Sequence, residues 1–509
     1  MKNKLIFHPF LFAIYPILSL FAYNIDQIAF FRTLTALALT IGGTLILWIA
    51  LRLIFKEYHK SALILSLFIG LFFLYGHVFS RIQAWLPNGF LIGKHIYLEL
   101  IWLIFLAFGI FFLTKTQLPV TQLTKILNIA ALALVFLPIA NITLYKLQHN
   151  TTHPEKKVRD AQPISSAEKS SKYRDIYYIV LDAYAHATTL KEVYHYDNRQ
   201  FINFLTDRGF SVPAQSCSNY GMTFLSLAAT LNMEYINYLA DTVGKQSKNQ
   251  VIPRSMISNN NVSALLKSKG YKIIQLNSGW GPTKYNKHAD LIVNTGRISN
   301  FELLLFKTTM LAPWTKKVFG NGARERILNH FDKLAQVAAI AGPKFVFAHI
   351  TSPHPPYLFD ANGKPVPKTS LNRKGKIWRQ KDQYRAQLIF INKKVQVLVK
   401  EIFARSATAP IIIFQADHGT ASGMYEPGSG GWNNPTPSKL RERLRIFSAF
   451  YLPGDAKNDL YDTISPVNNF RFIFNHYLDG NFEMLEDRSY YSTYQLPYQF
   501  SDVTKQVAF

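Results

Sequence analysis

Apolar and polar positions divide this chain into two unlike parts. Up to residue 147 the apolar residues come in long blocks: Leu5–Ala22, Phe30–Phe55, Ser61–Phe79, Ile96–Leu113 and Ile126–Leu144. A helix needs about 20 apolar residues to cross a hydrocarbon core of about 30 Å, so each block predicts a spanning helix or nearly one, five in all. Short polar turns separate them, such as Tyr23-Asn24-Ile25-Asp26-Gln27 and Lys56-Glu57-Tyr58-His59-Lys60. Lys2 and Lys4 suit a signal peptide, but no small-residue cleavage site follows and four further blocks do, so a retained anchor is expected. After residue 174 the pattern changes. Short runs rich in β-branched and aromatic residues (Ile176–Leu181, Lys272–Leu276, Phe345–Ile350, Ile411–Phe414, Phe447–Leu452) alternate with amphipathic stretches (Asn198–Asp207, Val262–Lys269, Glu325–Ala338, Asp382–Phe403, Val467–Tyr477). That alternation predicts an α/β domain around a largely parallel central sheet. The stretch between the two parts is polar, serine-rich and without periodicity, and reads as a linker. The expected organisation is a five-helix transmembrane domain at 1–147, a linker at 148–174 and an extracytoplasmic domain at 175–509.

Charge orients the first part. With the N-terminus inside, Lys2, Lys4, Arg52, Lys56, Lys60, Lys115 and Lys125 face the cytoplasm, and only Arg32, Arg81, Lys94 and Lys146 lie near the other surface. Five crossings from an inside start leave the second part outside the cytoplasm, at the plasma (inner) membrane. Glu99 and His77 sit near span ends, where the headgroup level accommodates them. The formal net charge of +25 is spread along the chain with no long basic run. It suits anionic headgroups or a phosphate-bearing polymer, and no nucleic-acid partner is expected. The single cysteine, Cys217, excludes an intramolecular disulfide.

In parallel sheets ligands gather beyond the carboxyl ends of the strands. Asp182 ends the first run. His349 closes the third, followed by Thr351-Ser352-Pro353-His354-Pro355-Pro356-Tyr357. Asp417-His418-Gly419 ends the fourth. A carboxylate and imidazole set suits one divalent metal, zinc or manganese. Taken singly, each has a plain alternative: Asp-His-Gly as a turn after a strand, Asp182 as a helix cap, either histidine as a hydrogen-bonded structural group. Ser216-Cys217-Ser218-Asn219-Tyr220-Gly221-Met222-Thr223 precedes a helix-like Leu225–Met233. A hydroxyl at a helix start sits among unpaired N–H groups at the positive end of the dipole, a setting that stabilises an alkoxide and a bound oxyanion. Helix capping by Ser218, Asn219 or Thr223 is the competing reading.

These segments, in this order, resemble the sulfatase and alkaline-phosphatase superfamily, and in layout its membrane-anchored lipoteichoic acid synthases and phosphoethanolamine transferases. The resemblance spans essentially the whole chain and implies a sulfatase-like catalytic domain. By it, Asp182, Thr223, Asp417 and His418 match the metal site, with Thr223 as the metal-bound nucleophile. His354 matches the histidine of the His-x-Pro-aromatic segment, with His349 as its rival. Trp280, in Asn277-Ser278-Gly279-Trp280-Gly281, matches a substrate-site loop or packs. One departure counts: Cys217 lacks the proline and arginine of the Cys-x-Pro-x-Arg pattern that matures to formylglycine, which argues against that chemistry. The implied activity is transfer of a phospholipid headgroup, of phosphoethanolamine or phosphoglycerol type, through Thr223 to an envelope glycan or lipid acceptor. The alternatives are a phosphate- or sulfate-ester hydrolase, and a non-catalytic membrane receptor or assembly factor on the same fold.

Overall fold

A computed structural model describes residues 5–25, 30–85, 94–148, 173–296, 300–315, 322–366, 376–426 and 430–509. The chain forms two compact units. The first is Met1–Thr152 together with Ile298–Gly320, and the second is His153–Arg297 with Asn321–Phe509. A segment inside the stretch expected to be one extracytoplasmic domain thus clusters with the apolar helices. The expected linker at 148–174 falls almost wholly outside the described residues.

In the first unit five apolar helices form: α1 (His8–Tyr23), α2 (Leu34–Phe55), α3 (Tyr58–Trp85), α4 (His95–Lys115) and α5 (Val120–Gln148). Four of them, α2 to α5, are long and apolar enough to cross a membrane, while α1 has 16 residues. Large apolar side chains such as Leu39, Ile46, Ile104, Phe108 and Phe136 stay exposed, a surface that only hydrocarbon satisfies. The chain is an integral membrane protein. Polar contacts fix the helix directions. The Asn128 side chain accepts from the Phe7 and His8 amides and donates to the Leu5 carbonyl, which pins the start of α1 to α5. Lys60 Nζ donates to the Thr114 carbonyl at 3.0 Å, His59 pairs with Thr124, and Ser61 Oγ donates to the Leu51 carbonyl. The starts of α1, α3 and α5 therefore share one level with the ends of α2 and α4, and successive helices alternate in direction.

The second unit is built on a seven-stranded sheet of order β2-β7-β6-β1-β5-β3-β4. The strands are β1 (Ile176–Leu181), β2 (Phe210–Ser211), β3 (Lys272–Asn277), β4 (Leu291–Asn294), β5 (Lys344–Ile350), β6 (Ile411–Gln415) and β7 (Ser448–Tyr451). β6, β1, β5, β3 and β4 are mutually parallel. β7 and β2 add an antiparallel edge, so the apolar run at Phe447–Leu452 is a strand of the opposite sense. β1, β5 and β6 are buried along their whole length, because helices cover both faces. One core holds Tyr177, Ile179 and Leu181 from β1 with the helix Lys381–Arg405, and the other holds Ile176, Tyr178 and Val180 with Thr223–Asn232 and Pro466–Tyr477.

Register is what positions the site. β1 lies between β5 and β6, with Val180 opposite both His349 and Gln415. Two residues beyond Val180 and Gln415 come Asp182 and Asp417, so parallel pairing delivers both carboxylates to one edge at one level.

Candidate functional site

Where β1 ends, Ala183 takes a left-handed conformation with φ of 60°, which is costly for a residue with a Cβ. The turn aims its amide at Asp417 Oδ1, 3.0 Å away, and its carbonyl accepts from the Tyr384 hydroxyl. The carboxylates of Asp182 and Asp417 and the ring of His418 are all buried. One ligand atom from each lies within 4.8 Å of the others, so the three could hold a metal ion. Asp182 Oδ1 and Asp417 Oδ2 are buried without a hydrogen-bond partner. His418 Nδ1 donates to the Gly419 carbonyl at 2.8 Å, which leaves Nε2 with its lone pair free to ligate. That nitrogen is 3.3 Å from Asp417 Oδ2 and 3.8 Å from Asp182 Oδ1. Two orphaned carboxylate oxygens and an unprotonated imidazole nitrogen aimed at one point fit a divalent cation.

Electrostatics agree. Burial opposes ionisation of Asp182, but the neighbouring imidazoles of His354, His349 and His418 outweigh it and hold that carboxyl below the usual carboxylate range. Burial, and then the Asp182 charge, pushes Asp417 upward. Burial and the Arg443 cation keep His418 well below the ordinary imidazole range, hence neutral and able to ligate.

Thr223 is the first residue of its helix, whose N-cap is Met222 with no side-chain cap bond. Capping therefore does not explain Ser218, Asn219 or Thr223. Thr223 Oγ1 instead lies 3.1 Å from His418 Nε2. Ser218 Oγ donates to the Asp417 carbonyl at 2.5 Å and lies 2.8 Å from that of Tyr220, while Asn219 accepts from the Val467 amide and donates to Ser465. The Ser-Asn-Tyr segment thus holds the Thr223 hydroxyl against the Asp417 loop. Glycine at 419 serves close approach: a Cβ there would meet the backbone carbonyls of residues 442, 443 and 445.

Both rival histidines reach the site. His349 Nε2 lies 3.4 Å from Asp182 Oδ2, and its Nδ1 pairs with the Thr283 hydroxyl at 3.1 Å. The His354 amide donates to the Asp182 carbonyl, its ring centroid is 6.2 Å from that of His418, and its edge meets Trp378 at 4.8 Å. Trp280 stands one layer out, its ring 5.4 Å from His349.

Two residues of the site carry no signal in the sequence. Arg443, within Arg441-Glu442-Arg443, reads as part of a solvated charge run, yet it is 1% exposed. Its guanidinium donates to the Gly221 carbonyl at 2.7 Å and the Gly419 carbonyl at 3.1 Å, tying the Thr223 loop to the His418 loop. Glu442 accepts from the Thr420 and Ser422 hydroxyls and the Ser422 and Gly423 amides, which fixes the chain beyond His418. Arg443→Ala leaves the buried Gly221 carbonyl unmatched and takes one of two donors from that of Gly419. The expected cost is about 3 kcal/mol, read as a fall of roughly 5–10 °C in melting temperature, and Arg443→Lys does not restore it because one ammonium lacks the planar fork. An unchanged melting temperature would count against the bridging role.

Cys217 is also accounted for. Its Sγ faces the Val507 carbonyl at 3.8 Å, and burial pushes the thiol up to about 12. It is therefore protonated and directed at the C-terminal segment. Cys217→Ser is expected to keep turnover within about twofold of the parent; a collapse of activity would reopen a role for the thiol.

The C-terminal periplasmic domain of EcEptC from Escherichia coli, in a complex with zinc, is 14% identical over 65% of this chain and 93% of that one, with a TM-score of 0.46. The soluble domain of lipooligosaccharide phosphoethanolamine transferase A from Neisseria meningitidis is 12% identical, over 60% and 88%, with a TM-score of 0.39. The integral membrane form of the Neisseria meningitidis enzyme is 11% identical over 92% of both chains, at 0.38. No curated protein matches the chain. The sulfatase family profile matches residues 179–461, from within β1 to beyond β7. That match covers more than half of the chain and takes in Asp182, Thr223, His354, Asp417 and His418: the chain belongs to the sulfatase family of enzymes.

Proposed function

We propose that this sulfatase-family enzyme is a membrane phosphotransferase that moves a phospholipid headgroup, of phosphoethanolamine or phosphoglycerol type, through Thr223 to a cell-envelope acceptor. The observation that carries it is the placing of a helix-start hydroxyl 3.1 Å from His418 Nε2, beside two buried carboxylate oxygens that have no partner. Asp182, Asp417 and His418, with Thr223, would hold one divalent cation, of which zinc and manganese suit the donor set. Such an ion would supply Lewis acidity at the hydroxyl and charge neutralisation at the phosphoryl oxygens.

The chain's own residues supply the rest. Thr223 Oγ, its proton already released to solvent, attacks phosphorus as the alkoxide at the positive end of its helix, forming an Oγ–P bond and breaking the P–O bond to diacylglycerol. His354, beside His418, donates the proton that the departing glycerol oxygen takes up. An acceptor hydroxyl then attacks phosphorus, His354 accepts its proton, and the Thr223 Oγ–P bond breaks to return the alkoxide. His349 and Trp280 line the approach on the Asp182 side and are assigned to headgroup contact.

The membrane unit suits a lipid donor, because anchoring raises the local concentration of a substrate confined to the same bilayer. Five crossings are proposed: the α1 start shares the level of the α3 and α5 starts, and α1 alternates with α2. With the lysine and arginine pattern this puts the N-terminus in the cytoplasm and the second unit outside it. The deciding experiment supplies vesicles with headgroup-labelled phospholipid to the purified enzyme and follows the label. Label on an added glycan or lipid acceptor, with diacylglycerol released, supports transfer. Label released only to water assigns the hydrolase reading, and no release at all assigns the non-catalytic one.

A further inference from the structure

The segment that clusters with the membrane helices is not absorbed by the catalytic reading. The helix Asn300–Thr308 and the turn Ala312–Trp314 belong to the same compact unit as α1 to α5. Phe301 is buried with Ile17 of α1 and Ala36 of α2, and Leu305 packs against both that cluster and the one formed by Ala13, Leu65, Ile69 and Phe73. The Met310 amide donates to the Phe72 carbonyl of α3 at 2.9 Å. Gly76 makes the approach possible: a Cβ there would meet the Lys307 carbonyl and come 2.6 Å from Thr308 Cα. This is intimate packing on three helices, with a hydrogen bond inside it.

Depth follows from α3. Lys60 lies at one end of its apolar stretch and the exposed Arg81 at the other, about 31 Å apart at the helical rise, which matches a hydrocarbon core of about 30 Å. Phe72 is then about 13 Å, and Gly76 about 7 Å, inside the level of Arg81. Residues seated at that depth lie below the headgroups. Yet Leu304 and Leu311 are 45% and 41% exposed, left uncovered by the described residues. The membrane helices of the same unit likewise leave large apolar side chains exposed, Leu74 of α3 and Ile104 of α4 among them.

We infer that residues 300–315 re-enter the membrane and that the acyl chains of the leaflet on the Arg81 side cover Leu304 and Leu311. The occupant is lipid, because these exposed side chains are apolar, lie at hydrocarbon depth and belong to a segment packed on the apolar helices. The chain then passes between its two units three times, after residues 152, 297 and 320. This inference stands apart from the catalytic reading, and its test does not use activity.

The test places a nitroxide on Leu304→Cys or Leu311→Cys in full-length Cys217→Ser protein reconstituted in phosphatidylglycerol–phosphatidylethanolamine vesicles. Collision rates with oxygen, which partitions into hydrocarbon, are compared with those of a water-soluble nickel chelate. Labels at Ile104, exposed on α4, and Val397, exposed on the helix Lys381–Arg405, give the lipid and water references. Leu304 and Leu311 are expected to match Ile104, with an oxygen-to-nickel ratio several-fold above Val397. A ratio equal to Val397 overturns the inference, and so does strong spin–spin broadening, which would identify a second copy as the cover. As a second arm, Gly76→Leu drives a side chain into Lys307 and Thr308. It is expected to shift the Leu304 and Leu311 ratios toward the water value while Ile104 stays unchanged. No shift would mean the segment does not depend on α3 for its seat.

Discussion

Thr223→Ala is expected to give a folded, metal-binding protein whose headgroup transfer is at least about a thousandfold slower than the parent. The size of the loss follows from what the hydroxyl does. In the proposed mechanism it forms the covalent bond to phosphorus, so its removal takes away that route and leaves only the charge-stabilising surroundings. The fold should survive. Met222, not Thr223, is the helix N-cap, and alanine is a better helix former at that position. The stability change should stay within about 1 kcal/mol. Two measurements check this: transfer of labelled headgroup from vesicles, and the intact mass of enzyme quenched during turnover, where a phosphoryl adduct should sit on Thr223 in the parent and be missing from the variant. Thr223→Ser should recover measurable transfer, since the oxygen is kept. Parent-like turnover by the alanine variant would end the nucleophile assignment.

Chelation and Asp417→Asn form the second large effect. Without a cation the site buries two carboxylates side by side, and their mutual repulsion, added to burial, is what pushes Asp417 upward. A divalent ion lets both ionise and so binds the folded protein alone. At a free concentration a thousand times the dissociation constant such binding stabilises by about 4 kcal/mol. The parent should therefore lose melting temperature on chelation and regain it when zinc or manganese is restored. Asp417→Asn keeps the Oδ1 that accepts from the Ala183 amide but removes the charge. Its metal content should fall from about one ion per chain to below about a tenth, and chelation should no longer move its melting temperature. Because the like-charge pair is gone, the metal-free variant should be at least as stable as the metal-free parent. Equal metal content in parent and variant would remove Asp417 from the ligand set.

Much of this protein is legible in its residues because the relevant signals are local. Strands at Ile176–Leu181 and Ile411–Gln415, and helices at Arg199–Thr206 and Pro466–Tyr477, follow from apolar patterning bounded by polar turns, and they form within a residue or two of where the pattern puts them. The membrane helices follow from the length of their apolar blocks, with α1 the exception, since its 16 residues fall short of the others. Candidate ligands at strand ends are legible for the same reason: a carboxylate that follows a buried strand is costly there unless something pairs with it.

Other features answer to pairing over long distances. Arg443 looks like a surface charge until Gly221 and Gly419, 222 and 24 residues away, present their carbonyls to it. His349 reads as one of two rival histidines, and the fold brings both to the Asp182 carboxylate and its backbone. Residues 300–315 are too short an apolar run to predict a span, and only Gly76, Phe72 and the clusters on α1 and α2 reveal where they lie.

By itself the sequence determined the contrast between the long apolar blocks and the α/β stretch after them, the positions of five of the strands along the chain and the kinds of ligand at their ends, because hydrophobic period and residue chemistry act over a few neighbours. The tertiary structure alone decided that β1 sits between β5 and β6 in a register that puts Asp182 level with Asp417, and that Thr223 meets His418. Those distances depend on which strands pair across 170 to 235 residues of intervening chain, a choice set by the packing of the whole core.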